Sequence, residues 1–125
     1  MAIEFEVLET FDDARGTAFE PVGSDALAGF RNVHVVLTEP GHVRGNHRHA
    51  RGVETLIVRG PALLVTDEGG ARETREIAPD QVVRVRLGPG VAHAVKNTGD
   101  HPMLIVSFGT EPFDPTNTER HVLLA

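Results

Sequence analysis

Cysteine, tryptophan and tyrosine are absent from this chain of 125 residues, and lysine occurs once, as Lys96. Without cysteine there is no disulfide framework, cysteine-type zinc finger, iron–sulfur site or thiol nucleophile. Any metal site must be built from imidazole nitrogen and carboxylate oxygen. Without tyrosine, no phenol can serve as an acid. Aromatic packing falls to 6 Phe and the imidazoles of 7 His. No apolar run approaches the ~18 residues of a membrane helix. The stretch Met1–Thr10 alternates acidic and apolar residues and lacks the basic and apolar segments of a signal peptide. A cytoplasmic protein with no membrane partner is expected.

Positive charge is also scarce. Lys and Arg number 12 against 18 Asp and Glu, for a net charge of −6. No basic stripe runs along the chain, which argues against a nucleic-acid partner. The cations are almost all Arg, which suits bidentate recognition of carboxylate or phosphate. With 40% apolar and 24% charged residues, the composition is that of a folded globular chain. The length predicts one domain over residues 1–125.

What is present reads as strands and turns. Ile3–Val7 alternates with period two, with Ile3, Phe5 and Val7 on one face. Asp12–Gly16 reads as a turn. Ser24–Gly29 suits one short helical turn capped by Ser24 or Asp25. Asn32–Glu39 is a second strand, with Val33, Val35 and Leu37 on one face and His34 on the outer one. Val43–His49, Val53–Arg59, Ala62–Asp67, Arg72–Ile77, Val82–Leu87, Val91–Lys96 and Pro102–Phe108 follow, separated by Gly- and Pro-containing breaks. Glu119–Leu124 adds a last strand. About nine or ten short strands spaced by roughly 8–12 residues predict an all-β sandwich, jelly roll or barrel.

The chemistry concentrates in Gly41–His49 and Glu54. In a strand, His47 and His49 aim the same way, with Arg48 opposite. Glu54 opens the next strand and can sit beside them across the ladder. Two imidazoles and a carboxylate suit a divalent first-row metal, although a surface histidine pair has the same spacing. His93 shares a strand face with Val91 and Val95, so it faces the interior, as a fourth ligand or as a core histidine bonded to backbone.

These residues resemble the cupin superfamily. Its first motif runs Gly, five residues, His-x-His, three or four residues, Glu, six residues, Gly. The chain has Gly41, His47, His49 and Glu54 in register, with Gly60 one position early. Its second motif ends Pro-x-Gly, two residues, His, three residues, Asn. The chain has Gly90, His93 and Asn97, with Gly88 where the Pro is expected and Pro89 beside it. The resemblance implies an all-β double-stranded β-helix, the cupin jelly-roll barrel. It implies one divalent ion (Zn, Fe, Mn or Ni) held by His47, His49, Glu54 and His93, with the three His acting in catalysis through it.

A narrower resemblance covers Val43 to Pro115. Val43–His49, His93–Asn97 with Gly99–Asp100, and Glu111–Pro115 look like the C-terminal cupin domain of capsular-polysaccharide assembly reductases and related keto-sugar epimerases. It implies an isomerase of a nucleotide-linked 4-keto-6-deoxy sugar acting through an enolate, in polysaccharide biosynthesis. The metal-free relatives pair a His base with a Tyr acid, which this chain cannot do.

His34 is then a candidate base. Arg44, Arg31 and Lys96 are candidate partners of the anionic substrate, Arg44 first because it lies in the motif. Arg48 and Arg51 read as solvated surface charge. Glu111–Pro115 reads as a rigid strap, with a lid over the barrel mouth as the other reading. An iron-type dioxygenase, a polyketide-type cyclase and a non-enzymatic small-ligand carrier are the competing functions. A homodimer is expected, with Ile3–Val7 and His121–Leu124 as the candidate edges.

Overall fold

The computed structural model describes residues 2–125. Twelve strands form two five-stranded antiparallel sheets and one hairpin. The first sheet has the order β1 (Ile3–Val7), β9 (Val82–Leu87), β6 (Glu54–Arg59), β11 (Met103–Gly109), β4 (Asn32–Thr38). The second has the order β12 (Thr118–Arg120), β5 (Val43–His49), β10 (Ala92–Asn97), β7 (Ala62–Glu68), β8 (Ala71–Ile77). This is the expected all-β jelly roll.

The two sheets face each other over an apolar core. Leu56, Val58, Val83, Val85 and Ile105 enter it from one side, and Leu64, Ile77 and Val95 from the other. Both outer faces are also partly covered. Phe19, Val22 and Phe30 lie on Ile57, Val82 and Phe108, and the Phe30 and Phe108 rings stack with centroids 5.0 Å apart. Leu123 and Leu124 cover Val65, Ala92 and Ala94 on the second sheet. Central strands are therefore buried on both faces, which is why Ile57 and Val58 are adjacent and both inaccessible.

The structure differs from the sequence expectation at four places. The turn at Asp12–Gly16 is flanked by its own short hairpin, β2 (Phe11–Asp13) and β3 (Gly16–Ala18). These two strands bring the count above the expected nine or ten. The helical turn α1 (Ser24–Leu27) is preceded by Gly23 as its N-cap, with no side-chain cap from Ser24 or Asp25.

The last strand covers only Thr118–Arg120. Beyond it the chain is held by Asn46, whose side chain accepts from the Leu123 and Leu124 amides at 2.9 and 3.1 Å and donates to the Leu124 carbonyl at 2.8 Å. A side-chain clamp replaces a strand ladder, so His121–Leu124 is no pairing edge; β1 does form a sheet edge.

The fourth difference is in β4. Val33, Val35 and Leu37 do share a face, but it points outward, with 57%, 63% and 65% of each exposed. Asn32, His34 and Val36 face inward and line a cavity. The inner face of this edge strand is a cavity wall, and the apolar outer face continues the cluster around Val106 and Phe108, its cross-strand neighbours.

Candidate functional site

β4 and β5 are consecutive in the chain but belong to different sheets. Both line a cavity of about 520 Å³, whose floor is Leu56, Val95 and Ile105 and whose rim includes Glu111–Asp114. His47, His49, Glu54 and His93 all lie on its wall.

The local backbone explains how they meet. His93 pairs with His47, while the next residue, Ala94, pairs with Gly45. Asn46 is thus an extra residue in β5, a bulge, and it has a positive φ of 58°. Gly45 has a φ of 91°, and a Cβ there would come within 2.7 Å of the His93 carbonyl oxygen. Only glycine permits both this conformation and this approach. The bulge shifts the alternation of β5, so that Arg44, which pairs with the cavity-lining Val95, also reaches the cavity.

A ligand atom from each of His47, Glu54 and His93 lies within 4.8 Å of the others. The His47 ring meets the His93 ring edge-on at a centroid distance of 4.8 Å. His49 joins through the carboxylate, its Nε2 being 3.4 Å from Glu54 Oε2. His93 Nε2 is 3.4 Å from Glu54 Oε1. The Ser107 hydroxyl donates to Glu54 Oε2 at 2.9 Å, and Thr118 Oγ1 sits 3.2 Å from His49 Nδ1. Glu54 Oε1 and His93 Nδ1 are buried without a hydrogen-bond partner. Leaving buried polar atoms unpaired is unfavourable by about 1–3 kcal/mol each. This nitrogen–oxygen donor set, with an orphaned carboxylate oxygen at its centre, fits a divalent first-row cation.

The protonation states suit that role. Burial opposes ionisation of Glu54 most strongly. The His49 hydrogen bond, the fields of His93 and His49 and the Ser107 hydroxyl outweigh it, holding the carboxyl down to about 2. Burial pushes the His93 imidazole down to about 4, against the raising field of Glu54. Burial also lowers His47. The hydrogen bond to Glu54 raises His49, against its own burial. At neutral pH Glu54 is an anion and His93 a neutral imidazole, the forms that bind metals.

The remaining candidates divide. His34 lines the cavity from β4, beside Ser107 across the ladder. Arg44 lines it and donates to Thr38 Oγ1 at 3.1 Å. Arg31 and Lys96 do not line it. Each alternates with an inward neighbour, Asn32 and Val95 respectively. His42 is exposed in a turn, His101 pairs with Asp100 at the surface, and His121 lies 3.9 Å from Asp67.

Three features escape a reading of the sequence. Ser107 carries no motif, and only the β6–β11 pairing brings it to Glu54. Asn46 reads as one more residue of the strand Val43–His49 until its long-range partners are seen. Arg51, read as solvated, contacts the Glu111 and Asp114 carboxylates at 3.7 and 3.2 Å. Asn97, by contrast, shows why the second motif ends in Asn. It is buried and donates to the Thr38 and His101 carbonyls at 2.9 and 2.7 Å, locking the turn after β10.

The fold is that of a cupin jelly roll. The polysaccharide biosynthesis C-terminal domain family matches residues 11–121, and the chain belongs to that family. No curated protein sequence matches it. Among solved structures it is similar to the sugar 3,4-ketoisomerase QdtA of Thermoanaerobacterium thermosaccharolyticum, in complex with TDP. The identity is 17%, the coverage 96% of this chain and 88% of that one, and the TM-score 0.75. A dTDP sugar isomerase of Desulfovibrio desulfuricans is 19% identical over 94% and 82% of the two chains, with a TM-score of 0.82. The 3'-monoepimerase ChmJ of Streptomyces bikiniensis, in complex with dTDP-quinovose, is 20% identical over 95% and 69%, with a TM-score of 0.77. At these identities the likeness is one of fold. Among the described residues no helix is long and apolar enough to cross a membrane.

Proposed function

We propose that this chain is a metal-assisted isomerase or epimerase of a nucleotide-linked keto-sugar of the 4-keto-6-deoxy class. The observation that carries the reading is the convergence of His47, His49, Glu54 and His93 on one wall of a cavity of about 520 Å³. That volume is in the ~300–1,000 Å³ range of small-molecule sites. Membership of a polysaccharide-biosynthesis family and a fold shared with sugar isomerases and epimerases support the substrate class.

His47, His49, Glu54 and His93 would hold one divalent ion. When bound, such an ion supplies Lewis-acid polarisation of a neighbouring ligand oxygen. The chain's own residues do the rest. Arg44 binds the anionic diphosphate by charge-assisted hydrogen bonds. Leu56, Val95 and Ile105 give the cavity apolar lining that limits water inside it. The carbon beside a ketone must lose a proton and regain one. His34 is the one imidazole on the cavity wall outside the four ligands, and it takes this proton. The returning proton comes from solvent at the mouth, and His34 then releases its own to water. This assigns to histidine and solvent what a His–Tyr pair would do in a chain that had tyrosine.

A cytoplasmic homodimer completes the proposal. β4 is the better contact than the tail, because it is a sheet edge with an exposed apolar face.

The test is turnover in D2O with a nucleotide-linked 4-keto-6-deoxy sugar. Deuterium should enter the carbon beside the ketone with no oxygen consumed, and chelation should abolish the exchange. Oxygen uptake without exchange would move the assignment to a dioxygenase. Absence of both, with a ligand retained, would move it to a carrier.

A further inference from the structure

The cavity is electrically lopsided. At its Thr38 end, Arg44 bonds only to the Thr38 hydroxyl and forms no ion pair among the described residues. At the other end, Glu111 and Asp114 share the single guanidinium of Arg51. That rim holds two carboxylates against one cation. Between them Phe113 lines the cavity with 76% of its surface exposed.

The segment carrying Phe113 is fixed. Pro112 and Pro115 restrict its backbone. Asp114 Oδ1 accepts from the Thr116 amide at 2.9 Å and from its hydroxyl at 2.7 Å. Asn117 accepts from the Arg51 amide at 2.8 Å and donates to the Arg51 carbonyl at 3.0 Å. An aromatic ring held in solvent at a cavity rim adds little to the core. It offers an apolar surface to a ligand, carried on backbone that is already held before binding.

We infer that the cavity binds its nucleotide-linked sugar with a fixed polarity, the diphosphate at Arg44 and the hexose ring against Phe113. The inference rests on the nucleotide-sugar reading above. A diphosphate at the Phe113 rim would meet two carboxylates, whereas at Arg44 it meets an uncompensated cation. A pyranose is suited to the rim instead. Its C–H face packs on an aromatic ring, and its hydroxyls donate to Glu111 and Asp114. Along β5, Arg44, His47 and His49 reach the cavity in that order. The histidine cluster therefore lies between the two ends, beside a sugar seated on Phe113. Phe113 is in this view a specificity residue for the sugar, and Arg44 for the phosphate.

The test is calorimetric titration of thymidine diphosphate, and of a thymidine-diphosphate hexose with no keto group, into the full chain. Wild type, Phe113→Ala, Phe113→Tyr and Arg44→Met are compared, with thermal melting confirming that each is folded. Arg44→Met should weaken both ligands by about tenfold or more. Phe113→Ala should weaken the hexose-bearing ligand by about tenfold and leave thymidine diphosphate unchanged, and Phe113→Tyr should restore it. If Phe113→Ala weakens both ligands equally, Phe113 serves the base and the polarity is reversed. If it weakens neither, the platform is refuted while the proposed function stands. If wild-type protein binds neither ligand, the nucleotide-sugar reading itself falls.

Discussion

Gly45 on β5 lies so close to His93 on β10 that a Cβ on Gly45 would come within 2.7 Å of the His93 carbonyl oxygen. This contact sets the bulge at Asn46, and the bulge sets where His47 and Arg44 point. Gly45→Ala combines a positive φ with a collision against backbone. A residue forced into such a conformation is destabilised by about 1–3 kcal/mol, and the collision adds to that. Thermal denaturation should show a clear loss of stability, with Gly29→Ala near wild type because its Cβ would meet nothing closer than 3.6 Å. A Gly45→Ala protein as stable as wild type would refute the close approach.

The proposed metal site predicts that His47→Ala, His49→Ala and His93→Ala each lose the ion, read by elemental analysis of purified protein. Ser107→Ala should keep the fold and bind more weakly. Removing a partner that orients a ligand typically lowers metal affinity by about 10–100-fold. Full occupancy in all three histidine variants would overturn the ligand assignment.

His34 should behave differently from the ligands. His34→Gln keeps the polar cavity wall and removes the imidazole. Deuterium exchange at the sugar should fall by about 10²–10⁴-fold, the usual contribution of a positioned general base, with metal content unchanged. Unaltered exchange would take the proton transfer away from His34.

Acid should destabilise the metal-free protein, with a definite sign. His93 titrates near 4 in the folded state against an ordinary 6.5, so between those values the unfolded chain binds the extra proton. Its contribution is complete above about pH 6.5 and is lost as the pH falls toward 4. Glu54, held down to about 2 from 4.5, extends the loss to lower pH. His49 opposes this trend, because its raised value favours the folded state in acid. Chemical denaturation of chelator-treated protein should show falling stability from pH 7 to 5, and His93→Gln should flatten that limb. An equal loss in the His93→Gln protein would remove His93 as its source.

The proposed homodimer uses the exposed β4 face. Val35→Lys should give a monomer by light scattering with little change in the fold, since Val35 is 63% exposed. A wild-type monomer would remove the proposal, and a dimeric variant would move the contact to another surface.

Much of the molecule was legible in its residues. Strand breaks at Gly and Pro placed β5 to β11 to within a residue or two, because those residues punctuate strands for local steric reasons. The spacing His47-x-His49 put two imidazoles on one face, and period two required it. Motif spacing added Glu54 and His93. β4 was read with the wrong face inward. Alternation shows that two faces differ, and which one is covered depends on what packs against it. In β4 the polar face borders a cavity and the apolar face has no cover, so the usual assignment reverses.

The sequence alone determined the chemistry available: nitrogen and oxygen ligands, no thiol, no phenol, and arginine as almost the only cation. Those are properties of composition, and no fold can change them. The tertiary structure decided where that chemistry is aimed. Arg44 is one residue out of phase with His47 in a regular strand, and the bulge at Asn46 brings both into one cavity. Ser107 lies 53 residues from Glu54 in the chain, and the ladder between β6 and β11 puts its hydroxyl on that carboxylate. Register and bulges arise from contacts between distant segments, and no local pattern in the chain encodes them.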